Sequence, residues 1–318
     1  MKKLYVFGNG FDLRHNLSTG YNDFRAWLCE KNKNIKEIYG VPSYSSNGKG
    51  LEGYSDNEFI SYFLPLIDEA CEIVGCELWK DYENALGFVD WTKPLEDAEL
   101  IYDKDGDLDP FNAGNNIEDM ANDIYSSCHI LSKLFREWIE DVEDEIDVNL
   151  KREEFKDLSN DDIYLNFNYT STLETVYGIK NVKHIHGYVC DFNDLIVGHG
   201  NDTFDRTYFE KNDLAMNAEQ PIEYTFDYFR KKTNEIIDKN KEFFINLSDV
   251  NEIFILGCSL NDIDKPYFIE IFKNVIPNSK VHLYVHNDDE YDDKCKYIID
   301  IGKDKIIESN ISNWKNEL

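Results

Sequence analysis

Basic residues are scarce in this sequence of 318 residues. It contains 33 Lys and Arg against 63 Asp and Glu, which gives a formal net charge of −30 at pH 7. Such a charge repels polyanions and leaves no basic stripe for a phosphate backbone. The composition therefore argues against nucleic acid as a partner, while a hydrophobic content of 42% is enough for the core of a globular protein.

Long apolar runs and paired cysteines are missing as well. No run reaches the roughly 18 residues of a membrane span, and the apolar stretch in MKKLYVFGNG is too short for a signal peptide. The seven cysteines are odd in number, scattered and never in C-x-x-C spacing, which argues against a disulfide framework and a structural zinc site. We therefore expect a cytoplasmic protein with no membrane partner and no metal.

Short runs rich in β-branched and aromatic residues predict an α/β fold. They are apolar on both faces, as is typical of parallel strands that helices cover on both sides. The predicted strands are Lys3–Phe7, Ile163–Phe167, Val182–Ile185, Leu195–Val197, Ile253–Leu256 and Val281–Val285. We predict a Rossmann-like parallel sheet flanked by helices, in a nucleotide-binding domain of residues 1–30 and 156–318, with the N-terminal strand in the same sheet as the others.

The chain between these two parts is predicted to be a helical insertion or lid of residues 31–155. Residues 33–57 have little periodicity and are expected to form its exposed part. Helical patterns in the whole chain cover Asn57–Gly75, Leu78–Gly87, Ile117–Val148, Ile222–Leu247 and Asp264–Val275. A further helix is expected at Tyr21–Leu28, directly after the first strand and its loop.

The predicted strands end in glycine, asparagine or histidine. The residues that follow them are Gly8-Asn9-Gly10, Asn168-Tyr169-Thr170, His186-Gly187, Gly198-His199-Gly200-Asn201, Gly257-Cys258-Ser259 and His286-Asn287. A glycine at such a position is most often turn chemistry. Ligands of open parallel sheets nevertheless bind at the carboxyl ends of the strands, so six such ends predict a ligand site at one edge.

The loop Gly8–Gly10 is the candidate phosphate-binding loop. Glycines let a ligand approach the backbone, and the amides at the start of the next helix can face a phosphate. The G-x-G-x-x-G fingerprint is incomplete, since Leu13 stands in place of its third glycine. Asp12 is expected to cap the helix or to bind a ribose hydroxyl. On this interpretation, Gly10→Val blocks nucleotide binding and leaves the fold largely intact.

Other residues allow less favoured interpretations. Glu83 is predicted to lie on a helix, either as a further site carboxylate or on a solvated face. A divalent-metal site for a nuclease would use His184, His186 and His199 with Asp262 or Asp264, but a polyanionic substrate would approach this charge at a cost.

Five motifs together resemble the bacteriophage abortive infection family AbiH. They are GNGFDL, STGYNDF, WKDYENAL, NFNYTSTLE followed by HIHG, and ILGCSLNDIDKPYF, and they span Lys3 to Phe268. The resemblance implies a role in phage defence. AbiH in turn is similar, more distantly, to the sirtuin-like NAD-binding fold. That similarity implies NAD as substrate or ligand.

The sirtuin-like similarity implies roles for single positions. Gly8 and Gly10 match its glycine loop, Asp23-Phe24-Arg25 its D-F-R segment, Asn168 its ribose-side asparagine, His186 its catalytic histidine, and Gly257 with Ser259 its late G-x-S loop. Together with the strand-end residues, the predicted cofactor-binding residues are Gly8, Asn9, Gly10, Phe11, Asp12, Asp23, Phe24, Arg25, Gly257, Ser259 and Asn287, with Glu83, Asp262, Asp264 and His199 as further candidates. The zinc-binding cysteines of deacetylating sirtuins are missing, which argues against deacetylation.

These observations favour an enzyme similar to NAD glycohydrolases. Cleavage of the N-glycosidic bond needs a base that titrates near neutral pH, for which His186 is the candidate, and a group such as Asn168 to hold the water or a ribose hydroxyl. The polar run up to Arg25 is then expected to be a flap over the ligand, with Phe24 against an apolar ring and Arg25 paired to a carboxylate or the ligand. Alternatively, Tyr21–Trp27 is merely the first helix, with its apolar side in the core and Arg25 in solvent. A non-catalytic nucleotide-binding module that acts through a partner is the alternative function. A phage-derived trigger and a homo-oligomer are both left open.

Overall fold

The computed structural model of the chain describes residues 2–32, 56–76, 79–285 and 288–314. The predictions for His286, for Asn287 and for most of the exposed part of the insertion, residues 33–55, lie outside the described residues.

Six strands and twelve α-helices are found in the described residues. In chain order they are β1 Lys2–Phe7, α1 Gly10–Arg14, α2 Tyr21–Asn32, α3 Asp56–Ile73, α4 Tyr82–Leu86, α5 Pro110–Glu143, β2 Ile163–Asn166, α6 Thr172–Tyr177, β3 Val182–His184, α7 Thr207–Lys211, α8 Glu219–Tyr228, α9 Thr233–Lys239, α10 Lys241–Ile245, β4 Val250–Leu256, α11 Lys265–Asn274, β5 Lys280–Tyr284, α12 Tyr291–Gly302 and β6 Ile311–Asn313.

The strands form one sheet in the order β3-β2-β1-β4-β5-β6, and every pairing is parallel. β1 lies in the middle, where Leu4 pairs with Ile163 of β2 on one side and with Ile253 of β4 on the other. This strand order is that of the Rossmann fold. The predicted α/β class is confirmed, as is the placement of the N-terminal strand among strands of the second half.

Burial on both faces explains why β1 is apolar throughout. Successive side chains of a strand point to opposite faces of the sheet. Leu4 and Val6 pack in a cluster that contains side chains of α11 and α12, whereas Tyr5 and Phe7 pack in an aromatic cluster on the other face. There the Tyr5 ring stacks on Phe254 with a centroid distance of 4.6 Å. A strand with one solvated face would alternate instead.

The contacts divide the chain into two compact units. The first, Met1–Gly20, Arg136–Ile196 and Lys232–Leu318, contains the sheet, and the second, Tyr21–Phe135 and Val197–Lys231, is helical. Residues 21–30 and 197–231, which the sequence assigned to the α/β domain, thus belong to the helical unit.

Aromatic packing accounts for this assignment. Phe24 of α2 makes edge contacts with Trp79 and Phe135, at centroid distances of 5.9 and 5.4 Å. Trp91 stacks on Phe229 at 5.4 Å. Both segments therefore bury their large side chains against the residues of the insertion, and the helical unit is built from two segments of the chain rather than one.

The predicted strand Leu195–Val197 is wrong. Within the first unit, Ile196 N donates to His186 O at 2.7 Å, so this segment closes a loop that begins at His186 and does not join the sheet. The sixth strand is instead β6, which pairs with β5 and is too short and polar to be recognised from an apolar run.

The predicted long helix Ile222–Leu247 is wrong as well, because it is divided into α8, α9 and α10. The break after α8 follows from a parallel bridge between His199 and Arg230. His199 N donates to Phe229 O, and Lys231 N donates to His199 O, both at 2.8 Å. Backbone groups engaged in this way cannot continue a helix.

The longest helix is α5, with 34 residues. Asp109 precedes it and accepts a hydrogen bond from Asn112 N at 3.1 Å, as is typical of a helix N-terminus. Its residues up to Phe135 belong to the second unit, and those from Arg136 belong to the first. Across the described ranges, α5 included, no helix combines the length and apolarity needed to cross a membrane.

The loops after β1 and β4 touch through their backbones. Gly10 N donates to Gly257 O at 3.0 Å. A Cβ on Gly10 would lie 2.6 Å from Gly257 Cα, and one on Gly8 would lie 2.7 Å from Gly257 O. Because real Cβ atoms do not approach backbone this closely, the contact needs glycine on both sides. The expectation that Gly10→Val leaves the fold largely intact is therefore wrong.

Gly257→Ala is expected to destabilise the protein more than Gly178→Ala. Both glycines have positive φ, +66° and +70°, but a Cβ on Gly257 would lie 2.5 Å from Phe11 N, whereas one on Gly178 would meet nothing within 4 Å. Gly178→Ala should cost about 1–2 kcal/mol of backbone strain, and Gly257→Ala about 1–3 kcal/mol more from overlap. Urea unfolding of both variants measures the difference; equal losses would contradict the close contact of the loops.

Candidate functional site

The strand order reverses between β1 and β4. Open parallel sheets bind their ligands beside such a reversal, at the carboxyl ends of the strands. The loops at this point are Gly8–Gly10 and Gly257–Ser259, which touch as described above. Asn168, after β2, is buried and donates its side-chain amide to Gly8 O at 3.2 Å. The structure thus brings three of the sequence-predicted segments together at the reversal.

His186 lies two residues beyond β3, with 3% of its surface exposed. Its Nε2 is 3.3 Å from the Tyr267 hydroxyl and 3.8 Å from Asp264 Oδ1. Its ring also contacts Phe167 and Tyr169, the two neighbours of Asn168, at centroid distances of 5.2 and 6.5 Å. The structure therefore places an acid and a phenol at the imidazole of His186, both from the region around the start of α11.

A histidine beside a carboxylate is suited to accept a proton. A nearby carboxylate stabilises an imidazolium, so His186 and Asp264 have the composition of a general base with its supporting acid. Asp264 was a further candidate from the sequence, but Tyr267 was not identified, although it lies in the motif DKPYF.

Asp12 is one of the most deeply buried carboxyl groups at this edge, with 1% of its surface exposed. Its two oxygens accept hydrogen bonds from the hydroxyls of Thr170 and Thr172, at 2.6 and 2.8 Å. Burial raises the pKa of Asp12 to about 6, against the lowering effect of the two threonines. Asp12 lies inside α1 and not at its N-cap, and both of its oxygens accept from protein hydroxyls.

The first amides of α1 are engaged within the protein. Gly10 N donates to Gly257 O, and Phe11 N donates to Gly8 O at 2.9 Å. The side chain of Asn9 donates to Thr19 O at 2.8 Å. The Phe11 ring is buried in the aromatic cluster that contains Tyr5 and Phe7. These amides do not offer the phosphate cradle that the sequence predicts. Ser259, in the facing loop, is exposed.

The D-F-R segment lies in the helical unit. Phe24 is fully buried there, and Arg25 makes a two-pronged ion pair with Asp68, at 2.8 and 2.7 Å. Asp23 accepts a hydrogen bond from Asn22 at 3.1 Å. α2 is thus a helix with its apolar side in a core, which agrees with the alternative to the flap. That alternative placed Arg25 in solvent, whereas the structure pairs it with Asp68.

Glu83 and His199 also lie in the helical unit. Glu83 Oε1 is 2.7 Å from Lys231 Nζ, with 13% and 1% of the two side chains exposed. His199 Nε2 bonds to Phe226 O, its Nδ1 accepts from Asn201 N, and burial lowers its pKa to about 4. Glu83 is therefore not on a solvated face, and both ring nitrogens of His199 are engaged with backbone.

Two metal-site candidates have other partners. Asp262 is exposed and lies 3.5 Å from Lys265. His184 bonds through Nδ1 to Asn168 O and through Nε2 to Glu174, at 2.9 and 2.8 Å. In the part of the chain that the structure describes, no three His, Cys, Asp or Glu side chains are grouped so as to hold a metal ion.

Asp12→Asn is expected to alter how stability depends on pH. Between pH 4 and 6 the folded protein holds a proton on Asp12 that the unfolded chain has released, so the free energy of unfolding falls as the pH rises and levels off above pH 6. The variant lacks this group. Its stability relative to wild type should therefore improve by about 1.4 kcal/mol from pH 5 to pH 7.5. Urea unfolding at both pH values measures this, and a pH-independent difference would contradict it.

Glu83→Gln is expected to destabilise the protein by about 3–5 kcal/mol, because it leaves the buried ammonium of Lys231 without its carboxylate partner. Replacing both partners, Glu83→Gln with Lys231→Met, should recover most of the loss. Glu69→Gln, which removes the partner of Lys93 in a half-exposed pair, is the control and should change stability little. A double variant no more stable than the single one would contradict the buried pair.

The model of the family described as bacteriophage abortive infection AbiH matches residues 4–286. That range contains most of β1, all of β2 to β5, the loops at the strand reversal and residues of both units. No curated protein and no solved structure matches the chain. Since the family model covers most of the 318 residues, the chain belongs to the AbiH family, and its role is phage defence by abortive infection.

Proposed function

We propose that the protein binds NAD or a related nucleotide at the carboxyl edge of its sheet and hydrolyses the N-glycosidic bond. The observation that carries the proposal is the position of His186, whose Nε2 lies 3.8 Å from Asp264 Oδ1 and whose ring contacts both neighbours of Asn168. A base, a carboxylate to support it and an amide beside the glycine loop are thus gathered at the end of the sheet where nucleotides bind.

The charges at this edge suit the two halves of NAD differently. The nicotinamide ring of NAD is a cation, and Asp264 offers it a carboxylate near His186. The β4 loop offers the exposed hydroxyl of Ser259, and α12 offers the ammonium of Lys294, which lies 3.2 Å from both Cys258 O and Glu290 Oε2. These groups, rather than the engaged amides of α1, are the donors for the phosphates. A small ligand can use such local donors, so the net charge of −30 does not oppose its binding.

The reaction follows from these roles. Water attacks C1′ of the ribose as the bond to nicotinamide breaks, and the electron pair of that bond leaves with nicotinamide, which becomes neutral. His186 accepts the proton that the water loses, and Asp264 stabilises the imidazolium. Asn168 orients the water or a ribose hydroxyl. The products are ADP-ribose, nicotinamide and one proton, which His186 returns to solvent.

The burial of His186 favours a second candidate function. A histidine with 3% exposure and a hydroxyl partner also suits a purely structural role. The protein would then be a nucleotide-binding module that acts through a partner protein, without turnover.

Nicotinamide release from NAD by the purified protein separates the two candidates. His186→Gln should lower the rate by about 10²–10⁴-fold, the usual contribution of a general base, and should leave NAD affinity within a few-fold by calorimetry. His129→Gln is the matched control, because His129 is exposed on α5 in the helical unit. Binding without release by wild type would establish the second candidate, and the absence of binding would overturn both.

A further inference from the structure

Two side chains on one helix hold the loops that carry Asn168 and His186. They are Arg136 and Glu143, in the last two turns of α5, within the same unit as the sheet. Seven residues are close to two turns of an α-helix, so both side chains leave the same face of α5. Neither was identified from the sequence.

Arg136 binds the loop that begins at His186. This His186 loop, residues 186–196, is closed at its neck by the hydrogen bond from Ile196 N to His186 O. The Arg136 guanidinium donates to the carbonyls of Val189 and Asp191 at 2.6 Å each and to that of Asn193 at 3.0 Å. One side chain therefore satisfies three carbonyls of the His186 loop.

Glu143 binds the loop after β2. Its Oε2 accepts from Ser171 N at 2.9 Å, and its Oε1 accepts from the Ser171 hydroxyl. Cys190, in the His186 loop, also lies against Glu143, with Sγ 3.5 Å from Oε1. Ser171 is three residues beyond Asn168, so Glu143 contacts both of the loops that carry the site residues.

The two loops also bind each other. Val189 N donates to Tyr169 O at 2.8 Å, and the Tyr169 hydroxyl donates to Ile196 O at 2.9 Å. A displacement of the His186 loop therefore displaces the residue next to Asn168. α5 thus holds this pair of loops through two side chains of one face, Arg136 and Glu143.

We propose that Arg136 and Glu143 are positioning residues, which fix His186 and Asn168 in their working geometry; the catalytic part of this inference rests on the function proposed above. Neither residue touches the imidazole. Arg136 acts through the backbone of residues 189–193, and Glu143 acts through Ser171.

The chemistry of the contacts explains why arginine is needed. A guanidinium presents five donors in a planar fork, whereas an ammonium is a compact point charge with three donors. Lysine at position 136 cannot span three carbonyls that arginine reaches together. Two of these three bonds are exposed to solvent, so water can replace them at little cost to global stability. Loss of Arg136 should therefore loosen the His186 loop without unfolding the protein.

Hydrogen exchange of the full chain tests whether Arg136 and Glu143 hold the two loops, and it needs no NAD. In Arg136→Met and Arg136→Lys, the amides of Val189 and Ile196 should exchange at least about tenfold faster, while those of β4 keep the wild-type rate. Glu143→Gln should speed exchange at Ser171. Glu140→Gln is the matched control, because it removes the ion pair of Glu140 with Arg136 Nε and leaves the carbonyl bonds in place.

Kinetics test the catalytic part. A displacement of about 1 Å in a catalytic group can lower the rate about 10²-fold. Arg136→Met should therefore lower kcat by about 10–100-fold and leave KM within threefold. If Arg136 had only a structural role, its loss would instead lower the melting temperature and the amount of active protein. Wild-type exchange in the His186 loop of Arg136→Met would overturn the proposal, as would an unchanged kcat with a loosened loop. If wild type releases no nicotinamide, the function proposed above fails, and the exchange of Val189 and Ile196, with the NMR signal of the His186 ring, decides the positioning role alone.

Discussion

The backbone of the β1 loop lies directly on the backbone of the β4 loop, and the carboxyl edge of the sheet depends on this contact. Gly10 N donates to Gly257 O, and none of Gly8, Gly10 and Gly257 has room for a Cβ. In the usual dinucleotide-binding fold the glycines make room for a pyrophosphate. Here they make room for another strand's loop. Asn168 then joins the pair of loops through Gly8 O, so the position of the site follows from a contact that involves no ligand.

Hydroxyl and amide donors, rather than cations, satisfy two important carboxylates of the sheet-containing unit. Asp12 accepts from Thr170 and Thr172, and Glu143 accepts from the backbone and hydroxyl of Ser171. All four donor groups belong to the three residues Thr170–Thr172, which follow Asn168 and Tyr169. A chain with 33 basic and 63 acidic residues has few cations for buried acids. Neutral donors satisfy the hydrogen-bonding needs of an anion but do not cancel its charge. The electrostatic potential nearby therefore stays negative, which suits a site proposed to hold a cationic ring.

Much of the fold could be predicted because strands buried on both faces are apolar throughout, as in Lys3–Phe7 and Ile253–Leu256. The same argument fails for Leu195–Val197, an apolar segment that closes a loop, and for β6, which is short and lies at the edge of the sheet. Glycine after a strand correctly marked close approach, but the sequence does not say whether the approaching group is a ligand or another loop. The pairs that define the site are the least predictable. Thr170 and Asp12 are 158 residues apart, and Arg136 and Val189 are 53 apart, so no local spacing joins them.

The central place of β1 also sets the order in which the molecule can be assembled during translation. β1 leaves the ribosome long before either of its neighbours, because one pairs from Ile163 and the other from Val250. A nascent chain that has reached only β3 can cover one edge of β1 and leaves its other edge, an apolar strand, exposed to any strand nearby. Gly10 N cannot donate to Gly257 O until β4 and the loop after it have been synthesised. The carboxyl edge of the sheet is therefore completed late, when β4 pairs, and a chain that stops earlier carries every residue of the loops after β1 and β2 without the geometry of the candidate site.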